Sequence, residues 1–157
     1  QDIVAAADDV GRAMVSVVVN DIDSDAIDEC RSRLTAIAGN VSYIAGNALT
    51  LTKEFAARGP YDLVMCGGLL DYLPRLHAKR LLAKLYAAVA SGGRLYCSNM
   101  ATGNPYRSWL EYFGNWVLIE RSEDEIVDLC GSLGSDARIE INRDATGLAL
   151  IVDIWRD

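Results

Sequence analysis

Short, uninterrupted apolar runs recur at residues 14–20, 41–45, 61–66 and 94–98, and stretches of helical spacing lie between them. A strand that is apolar on both faces must be covered on both faces. Helices returning between such strands make the pairing mainly parallel. Residues 138–142 and 148–154 then read as two strands joined by a turn around Asp144 to Gly147, an antiparallel hairpin. The expected fold is therefore α/β, with a doubly wound, mainly parallel sheet and a C-terminal antiparallel hairpin. The 157 residues suffice for one domain with a real core, spanning residues 1–157.

The segments between the runs support this order. Residues 3–7 read as the tail of a helix. Residues 24–38 carry Ile27, Cys30, Leu34 and Ile37 at helical spacing, with Asp23 or Ser24 as N-cap and Gly39 as the stop. A short helix is expected over 50–57, and Gly59-Pro60 breaks the chain. A helix over 74–90 turns Leu81, Leu82, Leu85 and Val89 inward, and Ser91-Gly92-Gly93 turns into the next strand. Residues 99–116 form a polar, aromatic stretch. Ser122-Glu123-Asp124-Glu125 fits a capping box that opens a helix to about residue 133.

Ligands of such sheets bind outside the carboxyl ends of the strands, so the residues just after each strand matter most. After "VVVN" come Asp21, Asp23, Asp25 and Asp28. An acid at that place can accept hydrogen bonds from ribose hydroxyls, and Asp21 is the first past the valines. Asp23 and Asp25 fall where capping and the helix dipole favour negative charge. The alternative is that all four acids cap or solvate the helix. Asn47 follows the next strand, with an amide suited to a base edge or to a turn. Gly67 and Gly68 follow the third, allowing close backbone approach or a tight turn.

The net charge of −7 and the lack of a basic stripe argue against a duplex nucleic-acid partner. No apolar run spans a membrane. Cys30, Cys66, Cys97 and Cys130 are widely spaced among apolar neighbours, as expected of buried free thiols in a reducing cytoplasm. His77 is the single histidine, and no metal site is expected.

The pieces "VVVNDIDSDAI", "YIAGNAL", "GPYDLVMCGGLLDYL" and "ASGGRLYCSNM" resemble, in order and spacing, the class I S-adenosylmethionine-dependent methyltransferases. The resemblance implies S-adenosyl-L-methionine as cofactor. It implies that Asp21 holds the ribose, Ile22 packs on adenine, Asn47 and Ala48 read the adenine edge, and Cys66 and Gly67 line the cofactor cleft. The family's glycine-rich loop after its first strand is absent, and "QDIVAAADD" resembles the helix that follows that loop. Either residues upstream of this sequence supply the missing strand and loop, or the chain is a remnant that binds the cofactor poorly. Within the family, "GPYDLVMCGGLLDYL", "NPYRSWLEYFGNWVLIERSEDE" and "RDATG" resemble bacterial 3-hydroxypalmitic acid methyl ester synthase-like proteins. That narrower resemblance implies a hydroxy fatty acid as small-molecule substrate and its methyl ester as product.

Such a transferase must chiefly align a nucleophile with an activated methyl group and exclude water. A carboxylic acid, with a reference pKa of about 4, is already ionised at neutral pH and needs no general base. A phenol or amine more often wants one. Asp71 is then the nearest candidate, and it lies with Tyr72 after the third strand. Tyr106, Trp109, Tyr112, Phe113 and Trp116 can wall an apolar acceptor pocket or pack a helix on the sheet. Arg107 and Arg121 can receive a carboxylate as a fork or pair with Glu111 and Glu120. The rival readings are a dinucleotide-dependent oxidoreductase, a non-catalytic interaction domain, and non-methylating S-adenosylmethionine chemistry such as cyclisation.

Overall fold

The computed structural model describes residue 11 and residues 15–157. The helix expected over 3–7 and the start of the strand expected at Met14 lie outside the described residues. The contacts fall into two compact units, Gln1–Leu51 and Thr52–Asp157.

In the first unit, β1 (Val17–Asp21) pairs in parallel with β2 (Val41–Ala45), Val17 opposite Val41 and Asp21 opposite Ala45. The connection is α1 (Ser24–Arg33) followed by a 3₁₀ turn (Thr35–Asn40). Asp23 caps α1, its carboxylate accepting the Asp25 N–H at 2.9 Å. The helix stops five residues before the expected end at 38. Leu34 leaves helical geometry (φ −94°, ψ 19°), and so does Ile37 (φ −126°, ψ 19°). Thr35, Ile37 and Gly39 are weak helix formers. Burial decides the outcome, because Leu34 and Ile37 pack with Val15, Val17, Val19 and Val41 as the core of this unit.

The second unit contains a four-stranded sheet in the order β3 (Tyr61–Cys66), β4 (Val89–Met100), β6 (Ala149–Arg156), β5 (Ala137–Arg143). The β3–β4 pair is parallel, and the β4–β6 and β5–β6 pairs are antiparallel. The helices are α2 (Thr52–Arg58), α3 (Arg75–Ala87), α4 (Arg107–Gly114) and α5 (Glu123–Cys130). Parallel strands joined by helices and an antiparallel C-terminal hairpin give the mixed α/β architecture read from the sequence.

Side chains alternate along β4 and β6, so Leu95, Cys97, Leu150, Val152 and Ile154 lie on the buried side. They are buried together with Ala78, Leu81 and Leu82 of α3 and Ile126, Leu129 and Cys130 of α5. Each fully buried Leu or Ile contributes roughly 1.5–3 kcal/mol. Arg75 joins the two helices through a forked ion pair to Asp128, at 2.7 Å for each bond. The expected capping box is present. Ser122 accepts the Glu125 N–H, and the Glu125 carboxylate accepts the Ser122 N–H.

Strand β4 starts earlier than the expected residue 94. Tyr61 pairs with Val89 and Leu63 with Arg94, so the extra residues of β4 bulge out instead of ending the strand. Gly92 takes φ 78° there. A Cβ on Gly93 would sit 2.9 Å from the Asp62 carbonyl oxygen, so glycine is required for this approach. The stretch 99–116 also holds more structure than expected, since α4 forms within it.

Candidate functional site

The first unit presents the carboxyl ends of two adjacent parallel strands. Asp21 ends β1 and is exposed, its Oδ1 accepting the Asp23 N–H at 2.9 Å. Ile22 follows, 73% exposed. The Asp21 carbonyl accepts the Gly46 N–H at 2.8 Å, joining this end to the turn after β2. Asn20 adds two bonds across the same ends, donating to the Ile44 and Gly46 carbonyls. Asn47 and Ala48 follow Gly46, and the Asn47 side-chain oxygen accepts the Leu49 N–H at 2.9 Å. Asp21, Ile22, Asn47 and Ala48 are thus gathered at one end of one strand pair. The other acids are accounted for locally. Asp23 caps α1, Asp25 sits in its first turn, and Asp28 pairs with Arg31 at 3.7 Å.

The second unit presents the end of β3. Cys66 is buried, and burial pushes its thiol up to about 11. Gly67 is exposed, and a Cβ built on it would meet nothing within 4 Å. The backbone is therefore open to a ligand on that side. Gly68 turns the chain at φ 71° and donates its N–H to Ser98 Oγ at 3.0 Å. A 3₁₀ turn, Leu69–Tyr72, follows.

Asp71 and Tyr72 point to different surroundings. Asp71 is buried, with Oδ1 accepting the Met100 N–H at 2.7 Å and its carbonyl accepting the Ile119 N–H at 2.8 Å. Burial raises its carboxyl above the ordinary value, while the Met100 N–H and the Arg121 guanidinium act in the opposite direction. Tyr72 is 53% exposed, and its hydroxyl accepts a bond from Trp116 Nε1 at 2.6 Å.

No residue of α4 is buried. Trp109 stacks on Phe113 at 4.7 Å between ring centroids, and Tyr112 meets Phe113 edge-on at 5.0 Å. Tyr106, Trp109, Tyr112, Phe113 and Trp116 are all exposed. The aromatic residues therefore form a surface cluster, and Trp116 links its end to Tyr72. A shallow depression beside α4, with a cavity volume of about 10 Å³, is lined in part by Asn104, Arg107, Glu111, Trp116 and Glu120.

The two arginines separate. Arg107 is exposed and pairs with Glu111 at 2.8 Å, one helical turn away. Arg121 is 4% exposed, which differs from the expected open receiver of a substrate carboxylate. Its guanidinium donates to the Leu70 carbonyl at 2.7 Å, to the Leu73 carbonyl and to Asn99 Oδ1. The reason is local geometry. An isolated bridge to Ala101 carries the Arg121 backbone beside the end of β4 and sets the side chain under the loop after β3. Asn99, 1% exposed, is the residue missed from sequence. The signal was there: the polar Ser98-Asn99 pair follows the apolar Leu95-Tyr96-Cys97 run near the end of the strand.

Among the described residues, no group of histidine, cysteine, aspartate and glutamate side chains can hold a metal ion. No helix among them is long and apolar enough to cross a membrane.

Residues 3–93 match the family described as a methyltransferase domain. No curated protein matches the sequence. Among solved structures, the chain is similar to magnesium protoporphyrin IX methyltransferase from Synechocystis PCC 6803 with bound SAH. The identity is 18%, with 93% of this chain and 66% of that one covered and a TM-score of 0.67. It is also similar to an O-methyltransferase family protein from Burkholderia thailandensis, at 16% identity, with 100% and 56% covered and a TM-score of 0.70. A third similarity is to the S-adenosylmethionine-dependent methyltransferase SibL, at 18% identity, with 99% and 47% covered and a TM-score of 0.69. The chain thus spans about half to two thirds of the length of these structures. At such identities they establish a shared fold, and the family match covers more than half of the chain. The chain belongs to the methyltransferase domain family.

Proposed function

We propose that this chain is part of an enzyme that transfers a methyl group from S-adenosyl-L-methionine to the carboxylate of a small acid with an apolar tail, a 3-hydroxy fatty acid being the leading candidate. The observation that carries the reading is the position of Asp21. It is an exposed carboxylate at the carboxyl end of a parallel strand in a chain of the methyltransferase domain family. An acid there can accept both ribose hydroxyls. Ile22 offers an apolar surface to the adenine, and Asn47 with Ala48 lies at the adjoining strand end to read its edge. In the second unit the backbone at Gly67, next to Cys66, is likewise open to a ligand. When bound, the cofactor supplies an activated methyl group on a sulfonium.

The acceptor side is the end of β3 together with the aromatic cluster. Tyr72 accepts the Trp116 indole N–H and so keeps its own hydroxyl proton to donate to an acceptor oxygen. Tyr106, Trp109, Tyr112 and Trp116 offer rigid apolar area to an alkyl chain. Arg107 can exchange Glu111 for a substrate carboxylate. No general base is needed, which agrees with an Asp71 carboxylate committed to the Met100 N–H. Glu111 and Glu120 line the same depression and favour a second reading, a neutral or basic acceptor methylated on oxygen or nitrogen. All four cysteines are free, which supports a reducing, cytoplasmic location.

The test incubates the full-length protein with methyl-labelled S-adenosylmethionine and a panel of hydroxy fatty acids, catechols and amines. Label in a base-labile ester is expected. Label confined to catechol or amine products would replace the first reading with the second and bring Asp71 forward as base.

A further inference from the structure

Arg121 places a guanidinium where a neutral side chain would be cheaper. Desolvating such a charge costs several kcal/mol, and among the described residues no carboxylate pairs with it directly. Burial draws its proton affinity below the ordinary value, with Asp71 and Glu125 acting against that pull. Filling space is therefore a poor account of why an arginine stands here.

Its acceptors give a better one. The Leu70 and Leu73 carbonyls lie on either side of the Asp71-Tyr72 dipeptide, so one planar fork brackets the two residues after β3. The third acceptor, Asn99, passes the restraint on, because its amide donates to the Met100 and Ile119 carbonyls, each at 2.9 Å. The Arg121 N–H donates to the Met100 carbonyl at 2.9 Å, and its carbonyl accepts the Thr102 N–H at 3.1 Å. Asp71 closes the circuit through Met100 and Ile119. Three stretches of chain meet at this hub: the loop after β3, the end of β4, and the segment returning from α4. The loop is a single four-residue 3₁₀ turn in which the Leu70 carbonyl also accepts the Leu73 N–H at 3.1 Å, so one turn alone fixes it weakly. A fixed donor fork sets the direction of its carbonyls in a way an apolar side chain cannot. The outward result is Tyr72, held at the surface with its hydroxyl on Trp116.

We propose that Arg121, working with Asn99, is a positioning residue that sets the Tyr72–Trp116 pair and, through it, the alignment of the acceptor at the end of β3. The kinetic consequence rests on the methyl transfer proposed above, and the geometric consequence does not.

The test uses Arg121→Lys in the full-length protein, which keeps a charge but cannot fork between two carbonyls. Indole N–H cross-peaks of Trp109, Trp116 and Trp155 are recorded by ¹⁵N–¹H NMR, with Trp116→Phe assigning its own peak. The Trp116 peak is expected to move to its position in Tyr72→Phe while the Trp109 and Trp155 peaks stay. Acceptor turnover is expected to fall about tenfold or more, and S-adenosylhomocysteine affinity to change less than about threefold. Should Arg121→Lys not fold, Asn99→Ser carries the same expectation. An unmoved Trp116 peak, or all three peaks moving together, overturns the proposal. A moved Trp116 peak with unchanged turnover also overturns it. A wild type that transfers no methyl group, with the Trp116 peak still moving alone, overturns the proposed reaction and leaves the geometric role standing.

Discussion

Arg121→Met removes the guanidinium and strands two buried acceptors, the Leu73 carbonyl and Asn99 Oδ1, while the Leu70 carbonyl keeps the Leu73 N–H. An unsatisfied buried acceptor costs about 1–3 kcal/mol. Releasing a charge from burial returns several kcal/mol, and the methionine adds apolar contact. Because stranded partners outweigh the recovered desolvation when one side of a buried polar network is deleted, the balance is a loss of about 2–4 kcal/mol. Urea unfolding followed by circular dichroism reads this directly. With a slope of about 2 kcal/mol per molar, the midpoint should fall by about 1–2 M with the slope unchanged. Arg107→Met is the control, because that arginine is exposed and makes an i,i+4 surface pair, and its midpoint should stay at the wild-type value. Equal midpoints for Arg121→Met and wild type would show that the buried network does not hold the loop, and the reasoning built on it would fail.

Three further outcomes are expected. Burial holds the Asp71 carboxyl above its ordinary value. The stability of wild type relative to Asp71→Asn should therefore be highest below pH of about 4 and fall as pH rises through the folded-state value; a gap that grows with pH would contradict this sign. Burial pushes the Cys66 and Cys130 thiols up to about 11 and the Cys97 thiol well up, whereas Cys30 is partly exposed. A thiol reagent at pH 8 should titrate one cysteine quickly in the native protein and three more only on unfolding; four equal rates would refute the burial. Gly93→Ala places a Cβ 2.9 Å from the Asp62 carbonyl oxygen and from Val89 Cγ1. It should destabilise by about 1–3 kcal/mol in thermal melts, and a neutral effect would mean that the β4 bulge yields freely.

The strand ends were legible because local signals agree there. Apolar runs give way at the strand ends to Asn20-Asp21, Gly46 and Gly67, and the capping box at Ser122 rests on four neighbouring residues. Competition between local and distant contacts hid the rest. Ser91-Gly92-Gly93 has turn chemistry, yet pairing with β3 on both sides carries the strand through it as a bulge. Leu34 and Ile37 fit a helical period, and their burial against β1 ends the helix early. Arg121 looked like a substrate ligand because its charge is visible in the sequence and its burial is not. Its partners lie 22 to 51 residues away in the chain. Residues 107–114 lay within a stretch read only as polar and aromatic, with no element bounds given, although Arg107 and Glu111 already stood one helical turn apart.

The central claim is that Asp21 stands at a site for S-adenosyl-L-methionine, and isothermal titration of the full-length protein with S-adenosylhomocysteine tests it most directly. The account predicts saturable one-site binding that Asp21→Ala abolishes or weakens at least about tenfold, as expected for losing a charged hydrogen-bond acceptor. Asp25→Ala, in the first turn of α1, should leave binding intact, and NAD should give no saturable heat. Equal losses in the two variants, or NAD binding in place of S-adenosylhomocysteine, would contradict it.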